Sequence, residues 1–129
     1  TPIHADKQWC DQAYDDALRF CIEHLDSVAI CAGTHNEASS LLLTELMEQK
    51  NIPHQHPHIW FSQLLGMCDH ISYNLARLGY NVSKYVPYGP VGSVLPYLVR
   101  RAQENTSVAG QTSRELSLIV QERNRRRNV

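Results

Sequence analysis

One helical face near residue 100 carries side chains that can hold an anion. Tyr97, Arg100, Arg101 and Glu104 are spaced three and four residues apart, so an α-helix would place them on one face. Arginine suits a carboxylate or a phosphate because its planar guanidinium binds bidentately and stays charged. A solvated helix face would show the same pattern, since arginine and glutamate are usually exposed. The spacing therefore indicates either an anion clamp or a plain surface helix.

Polar and aromatic residues also stand where short apolar runs end. Thr34 and His35 follow one run, Gln63 and Leu64 follow a second, and Tyr85 ends a third. Each has an ordinary interpretation: helix capping for threonine, core packing for leucine, and packing on a pleated surface for tyrosine. Ligands of βα folds lie outside the carboxyl ends of the strands, however. These positions are therefore also candidates for binding.

Hydrophobic periodicity divides the chain into β-α units that would position these residues. Strands are predicted at 27–32, 58–62 and 82–86, and each is followed by a helix, at 37–50, 67–78 and 91 to about 104. Another helix, 6–26, precedes them, and a last one, 112–127, follows a break at 105–110. Alternating strands and helices predict an α/β fold with a parallel sheet. The run at 27–32 is continuously apolar, which is typical of a strand buried on both faces.

Three runs carry a family resemblance: AGTHNEAS at 32–39, FSQLLGMCDHIS at 61–72 and KYVPYGPVGSVLPYLVRRAQENTS at 84–107. Together they resemble the C-terminal part of proline dehydrogenase, a flavoenzyme family with a (β/α)8 barrel. The resemblance extends from about Asp26 to Ser107, and it implies that the three βα units are the last three of a barrel. A complete barrel typically needs about 250 residues. We therefore expect residues 1–129 to be a single C-terminal fragment of the barrel domain.

The resemblance implies an activity for the intact enzyme. It would oxidise L-proline to 1-pyrroline-5-carboxylate, the first step of proline catabolism, by hydride transfer to FAD, and would pass electrons to a quinone. The flavin carries the redox chemistry, so no residue of this segment is assigned a catalytic role. The competing interpretation is an inactive, flavin-free αβ fragment that acts only as an oligomeric structural module. A choice between proline and hydroxyproline stays open, with Tyr85 favouring proline.

The same resemblance implies roles for nine residues. The carboxylate of proline would be held by Arg100 and Arg101, and its ring would be enclosed by Tyr85, Tyr97 and Leu64. Contacts to the flavin are expected from Thr34, His35, Gln63 and Glu104, the last of which could instead orient an arginine. A lysine and an aspartate that the family places on earlier strands have no counterpart in these 129 residues.

Composition is that of an ordinary globular protein, with 43% hydrophobic and 19% charged residues. No apolar run approaches the roughly 20 residues of a transmembrane helix, and no signal peptide opens the chain. We therefore expect a cytoplasmic protein, whose intact form could touch the inner membrane peripherally. The four cysteines lack a Cys-x-x-Cys spacing. We expect them to be reduced thiols, with Cys21 and Cys31 buried.

Two other patterns have ordinary explanations. His54, His56 and His58 alternate as zinc ligands on a strand could, but two prolines interrupt the segment and no acidic or cysteine ligand lies close by. The arginines at 123–127 suit the C-terminal end of a helix dipole better than a nucleic-acid site. We therefore expect neither a metal nor a nucleic-acid partner.

Charge and exposed strand edges predict self-association of this segment. Residues 1–50 have a net charge of −6 and residues 51–129 have one of +5. A three-stranded slice of a barrel would also leave two sheet edges and its inner face uncovered. We therefore expect a homo-oligomer, with Ile30, Trp60 and Tyr85 or their neighbours near the contact.

Overall fold

A computed structural model of the chain describes residues 4, 6–107 and 111–127. The described residues form five helices and three strands, which are α1 Lys7–Glu23, β1 Ile30–Gly33, α2 Glu37–Gln49, β2 Ile59–Leu64, α3 Asp69–Arg77, β3 Val82–Tyr85, α4 Val91–Ser107 and α5 Gln111–Arg127. This order confirms the predicted α/β fold. The chain divides into an N-terminal unit, residues 1–85, and a C-terminal unit, residues 86–129.

The three strands form one parallel sheet in the order β1-β2-β3. Ile30 pairs with Ile59 in the first ladder, and Leu64 pairs with Tyr85 in the second. Helices α2 and α3 make the connections between neighbouring parallel strands. Part of a (β/α)8 barrel has this same arrangement of consecutive βα units. The carboxyl ends of the strands consequently lie along one edge of the sheet.

The core of the N-terminal unit lies between the helices and one face of the sheet. Alternate strand residues Ile30, Ala32, Ile59 and Phe61 are buried on this face. They belong to one apolar cluster with residues of α1, α2 and α3, namely Leu18, Ile22, Leu43, Met47, Ile71 and Leu75. Because side chains alternate along a strand, the other face of the sheet carries Cys31, Trp60, Ser62, Leu64 and Tyr85. We call it the uncovered face.

Two expectations about this sheet were wrong. β1 alternates buried and exposed residues and is not buried on both faces, because the helices of the N-terminal unit cover only one side of the sheet. Cys31 is therefore exposed, and Cys21 is only half-buried. Ile30 itself is 7% exposed and belongs to the core, so its exposed neighbour Cys31 is the residue of β1 that could lie near the oligomer contact expected from the sequence.

Turns at the ends of the helices position the loops of the carboxyl edge. Asn36 caps α2 by accepting a hydrogen bond from Ala38 N at 3.0 Å. Cys68, immediately before α3, has a φ of 50°, which is unusual for a residue other than glycine.

Within the described ranges, no helix is both long and apolar enough to cross a membrane.

Candidate functional site

The carboxyl edge of the sheet brings Leu64 and Tyr85 together. They end β2 and β3 and are partners in the parallel ladder, so both side chains lie on the uncovered face. Leu64 is half-buried, and Tyr85 is 54% exposed. The two side chains therefore supply neighbouring apolar and aromatic surface where a βα fold binds ligands.

The turn after β1 contains the predicted residues Thr34 and His35, both of which are half-buried. Thr34 Oγ1 accepts a hydrogen bond from Asn36 N at 3.0 Å. This acceptor role leaves the hydroxyl proton of Thr34 able to donate to another group. Asn36, and not Thr34, is therefore the residue that caps α2, and Thr34 shapes the turn before it.

His35 connects this turn to the end of β2. Its Nε2 accepts a hydrogen bond from Leu64 N at 3.3 Å. A ring nitrogen that accepts carries no proton, so the neutral ring has its proton on Nδ1. The thiol of Cys68 lies 3.8 Å from the His35 carbonyl oxygen and donates a weak hydrogen bond to it. The ring of His35 is therefore bonded by Leu64, which ends β2, and its backbone carbonyl by Cys68, which follows β2.

Gln63 lies on the helix-facing side of β2 and is 2% exposed. Its Nε2 donates to Thr34 O at 3.3 Å, and its Oε1 accepts from Ser72 Oγ at 2.8 Å. The side chain thus reaches the predicted site through the Thr34 backbone and not from the uncovered face.

Lys84 holds the loop that follows Leu64, and sequence reasoning missed it. Its Nζ donates to Met67 O at 2.6 Å and lies 2.8 Å from Asp69 Oδ1. The side chain of Lys84 is only 20% exposed. The sequence feature that could have indicated this role is a lysine within a short strand, because a charged side chain is buried there only if it has a polar partner.

The residues predicted to form an anion clamp lie in the C-terminal unit. Arg101 Cζ lies 5.3 Å from the centroid of the Tyr97 ring, within the range of a cation–π contact. Both residues are half-buried, whereas Arg100 is exposed. The shared helix α4 confirms that Tyr97 and Arg101 lie on one face. The predicted side chain of Glu104 lies outside the described residues.

The three closely spaced histidines contact backbone carbonyls or one another. His54 Nδ1 lies 2.8 Å from Leu78 O, and His58 Nδ1 lies 2.9 Å from Leu25 O. His56 Nδ1 accepts from the backbone N of His58 at 3.2 Å. These bonds connect loops of the N-terminal unit. In the part of the chain that the structure describes, no three histidine, cysteine, aspartate or glutamate side chains are grouped to hold a metal ion.

Comparison with known proteins decides the family. The sequence profile of the family described as proline dehydrogenase matches residues 1–114. The chain belongs to the proline dehydrogenase family. This match confirms the resemblance and extends it at both ends beyond residues 26–107. The parallel α/β fold is consistent with part of the family's barrel.

Curated relatives match nearly the whole chain. Proline dehydrogenase 1, mitochondrial, of Bos taurus is 41% identical over 128 residues, which cover 97% of the chain and 22% of the relative. Proline dehydrogenase 2, mitochondrial, of Arabidopsis thaliana is 36% identical over 129 residues, 98% of the chain and 27% of the relative. Hydroxyproline dehydrogenase of Mus musculus is 45% identical over 105 residues, 81% of the chain and 23% of the relative. The chain spans about a quarter of the length of these relatives.

The names of these relatives overturn one expectation. The bovine and Arabidopsis proline dehydrogenases, like one from Homo sapiens, are named as mitochondrial. The cytoplasmic prediction was wrong. It rested on the lack of a secretory signal and of a membrane span, and neither feature separates the cytoplasm from the inside of a mitochondrion.

Proposed function

We propose that the protein containing these residues is an FAD-dependent proline dehydrogenase that oxidises L-proline to 1-pyrroline-5-carboxylate and passes electrons to a quinone. The observation that carries the proposal is the family match over residues 1–114, which includes the helix with Tyr97, Arg100 and Arg101. We take residues 1–129 to be the C-terminal part of its barrel domain. The names of the relatives favour a mitochondrial location.

The substrate carboxylate would be bound by Arg100 and Arg101. A guanidinium and a carboxylate form a charge-assisted pair of hydrogen bonds, which fixes the direction of the bound anion. The contact of Arg101 with the Tyr97 ring limits the orientations of that guanidinium before the substrate arrives. By the family resemblance, Tyr85, Tyr97 and Leu64 would each contact the pyrrolidine ring of the bound proline.

The carboxyl edge has the chemistry that a flavin needs. A flavin has a planar ring with an apolar face and a chain of hydroxyl and phosphate groups. The Thr34 hydroxyl can donate a hydrogen bond, the adjacent His35 ring is polar, and Leu64 supplies neighbouring apolar surface. We assign Thr34, His35 and Glu104 to cofactor binding, together with Gln63. When bound, FAD would supply the hydride acceptor for proline C5.

An inactive fragment is the second candidate, for the isolated chain of 129 residues. The chain spans about a quarter of its relatives, and Trp60 and Tyr85 are exposed on the uncovered face of its sheet. A cofactor that lies across the mouth of a barrel makes most of its contacts with residues outside these three βα units. The isolated chain would then be a flavin-free oligomeric module.

The experiment is an anaerobic titration of the intact protein with L-proline. We expect the absorbance of its oxidised flavin to be lost, and 1-pyrroline-5-carboxylate to form in a matching amount. A parallel titration with hydroxyproline would determine the substrate preference. Intact protein that contains no flavin, or whose flavin absorbance is unchanged by proline, would contradict the proposal.

A further inference from the structure

Ser72 and Gln63 form a buried chain of hydrogen bonds that ends on the backbone of Thr34. Each of the two side chains belongs to a residue that is 2% exposed. Ser72 Oγ donates to Gln63 Oε1 at 2.8 Å, and Gln63 Nε2 donates to Thr34 O at 3.3 Å. The two ends of an amide differ, since one accepts and the other donates. The Thr34 carbonyl can only accept, so the amide nitrogen of Gln63 must face it, and the amide oxygen then faces the Ser72 hydroxyl, which also lies 3.3 Å from Cys68 O.

This polar pair lies in a row of apolar side chains. The preceding residues on the same face of β2 are Ile59 and Phe61, which are each 1% exposed. A buried amide costs free energy unless its donors and acceptors are bonded, whereas an apolar side chain of similar size would not. The distinctive effect of Gln63 is therefore the position that it gives to Thr34.

Further bonds converge on the same turn. Leu64 N donates to His35 Nε2, and the Cys68 thiol donates to His35 O. Gln63 fixes the carbonyl of Thr34, and the two other bonds fix the ring and the carbonyl of His35. Two consecutive residues that could bind a ligand are thus oriented by β2 and by the start of α3.

We propose that Gln63, bonded by Ser72, is a positioning residue that sets the conformation of the Thr34–His35 turn for ligand binding. The inference rests on the proposed function for the identity of that ligand, FAD. Gln63 acts through the Thr34 carbonyl from the helix-facing side of the sheet. Its contribution to flavin binding is therefore indirect.

The test compares three variants of the intact protein. Gln63→Met keeps the size of the side chain and removes both bonds, and Ser72→Ala removes the hydroxyl that bonds the amide oxygen. Phe61→Leu is the matched control, because it alters a buried residue of the same strand and face that makes no bond to the turn. Hydrogen exchange at the backbone amides of Asn36 and Ala38 and the Kd for FAD are measured for each.

We expect Gln63→Met to accelerate exchange at these two amides and to weaken FAD binding about twofold to tenfold, the range expected for one hydrogen bond. Ser72→Ala should also accelerate amide exchange and weaken FAD binding, but by smaller amounts than Gln63→Met. Phe61→Leu should lower the unfolding temperature and leave amide exchange in the turn and the Kd near the parent values.

Three results would overturn the proposal. One is exchange at Asn36 and Ala38 that Gln63→Met leaves unchanged. Another is an equal change in Phe61→Leu, which would make the effect one of general stability. The third is faster exchange with an unchanged Kd for FAD. A protein without flavin would contradict the proposed function, whereas the exchange rates would still test the turn. If Gln63→Met does not fold, the amide exchange and the Kd of Ser72→Ala test the proposal in its place.

Discussion

The ammonium group of Lys84 lies 2.8 Å from the carboxylate of Asp69 and so connects the end of β3 to the first turn of α3. The same ammonium donates to Met67 O at 2.6 Å. Between these two acceptors lies Cys68, whose φ of 50° costs free energy in a residue other than glycine. A strained backbone conformation persists where neighbouring groups stabilise it. Lys84 bonds Met67 and Asp69, the residues on either side of Cys68.

Replacing Lys84 should loosen this loop. We expect Lys84→Met to lower the free energy of unfolding by about 1–2 kcal/mol, since it removes a charge-assisted bond to a backbone carbonyl. Asp69→Asn should cost less, because the Asp69 side chain is 53% exposed and its ion pair is partly screened. Denaturant unfolding gives the energies, and hydrogen exchange at residues 67–69 localises the effect. Equal stability of Lys84→Met and the parent would contradict this role.

The sequence predicted the elements of the fold better than it predicted the contacts of the site. Alternating apolar runs and helical periodicity identified the strands and helices that the described residues form, because each pattern is local. The end of β2 was predicted at Ser62, whereas the strand continues to Leu64 through pairing with β3. Without that pairing, the side of the sheet on which Gln63 lies could not be determined. The bonds of Gln63 to Thr34 and of Lys84 to Met67 join distant positions and leave no local signal.

Removing either arginine of the clamp should weaken proline binding in the intact protein. We expect Arg101→Met to raise the KM for proline about tenfold to a hundredfold, the range of a bidentate charge-assisted contact, and Arg100→Met to raise it similarly or less. Arg77→Met, in α3 of the other unit, is the control. Steady-state kinetics over a range of proline concentrations measures the effect. If both variants kept the KM of the parent, the assignment of Arg100 and Arg101 to the proline carboxylate would be wrong.

Acid should weaken a charged cluster at the end of α5. Hydrogen bonds from Arg125 and Arg126 hold the pKa of Glu122 at about 2, below its ordinary value. A carboxyl group whose pKa is lowered on folding contributes stability above its unfolded pKa, and that contribution is lost as the pH falls through the folded pKa. The effect should therefore disappear between about pH 4 and pH 2.

Nuclear magnetic resonance of the Glu122 carboxyl carbon can follow this titration. We expect its midpoint near pH 2 in the parent and at a higher pH in Arg125→Gln. Arg123→Gln changes an arginine that takes part in neither bond, so it should leave the midpoint in place. A parent midpoint at the ordinary value for glutamate would show that the two arginines do not hold the carboxylate in solution.

The isolated chain of 129 residues should bind no flavin. Its three strands provide only part of the ring of loops on which a barrel ligand rests, so most contacts to the cofactor would be missing. We expect the purified chain to lack flavin absorbance, even after incubation with FAD, and to reduce no dye when proline is added. The intact protein is the positive control. Stoichiometric FAD on the isolated chain would contradict this expectation.

The isolated chain should also associate with itself through the uncovered face. Trp60 is 43% exposed and Tyr85 is 54% exposed there, and large apolar patches are rare on monomers. We expect light scattering at micromolar concentration to give the mass of an oligomer, and Trp60→Glu to shift it toward the monomer by placing a charge in the contact. Trp9→Glu is the matched control, because Trp9 is 64% exposed on α1, away from the uncovered face. If the parent has a monomer mass, or if both variants dissociate it equally, this face is not the contact.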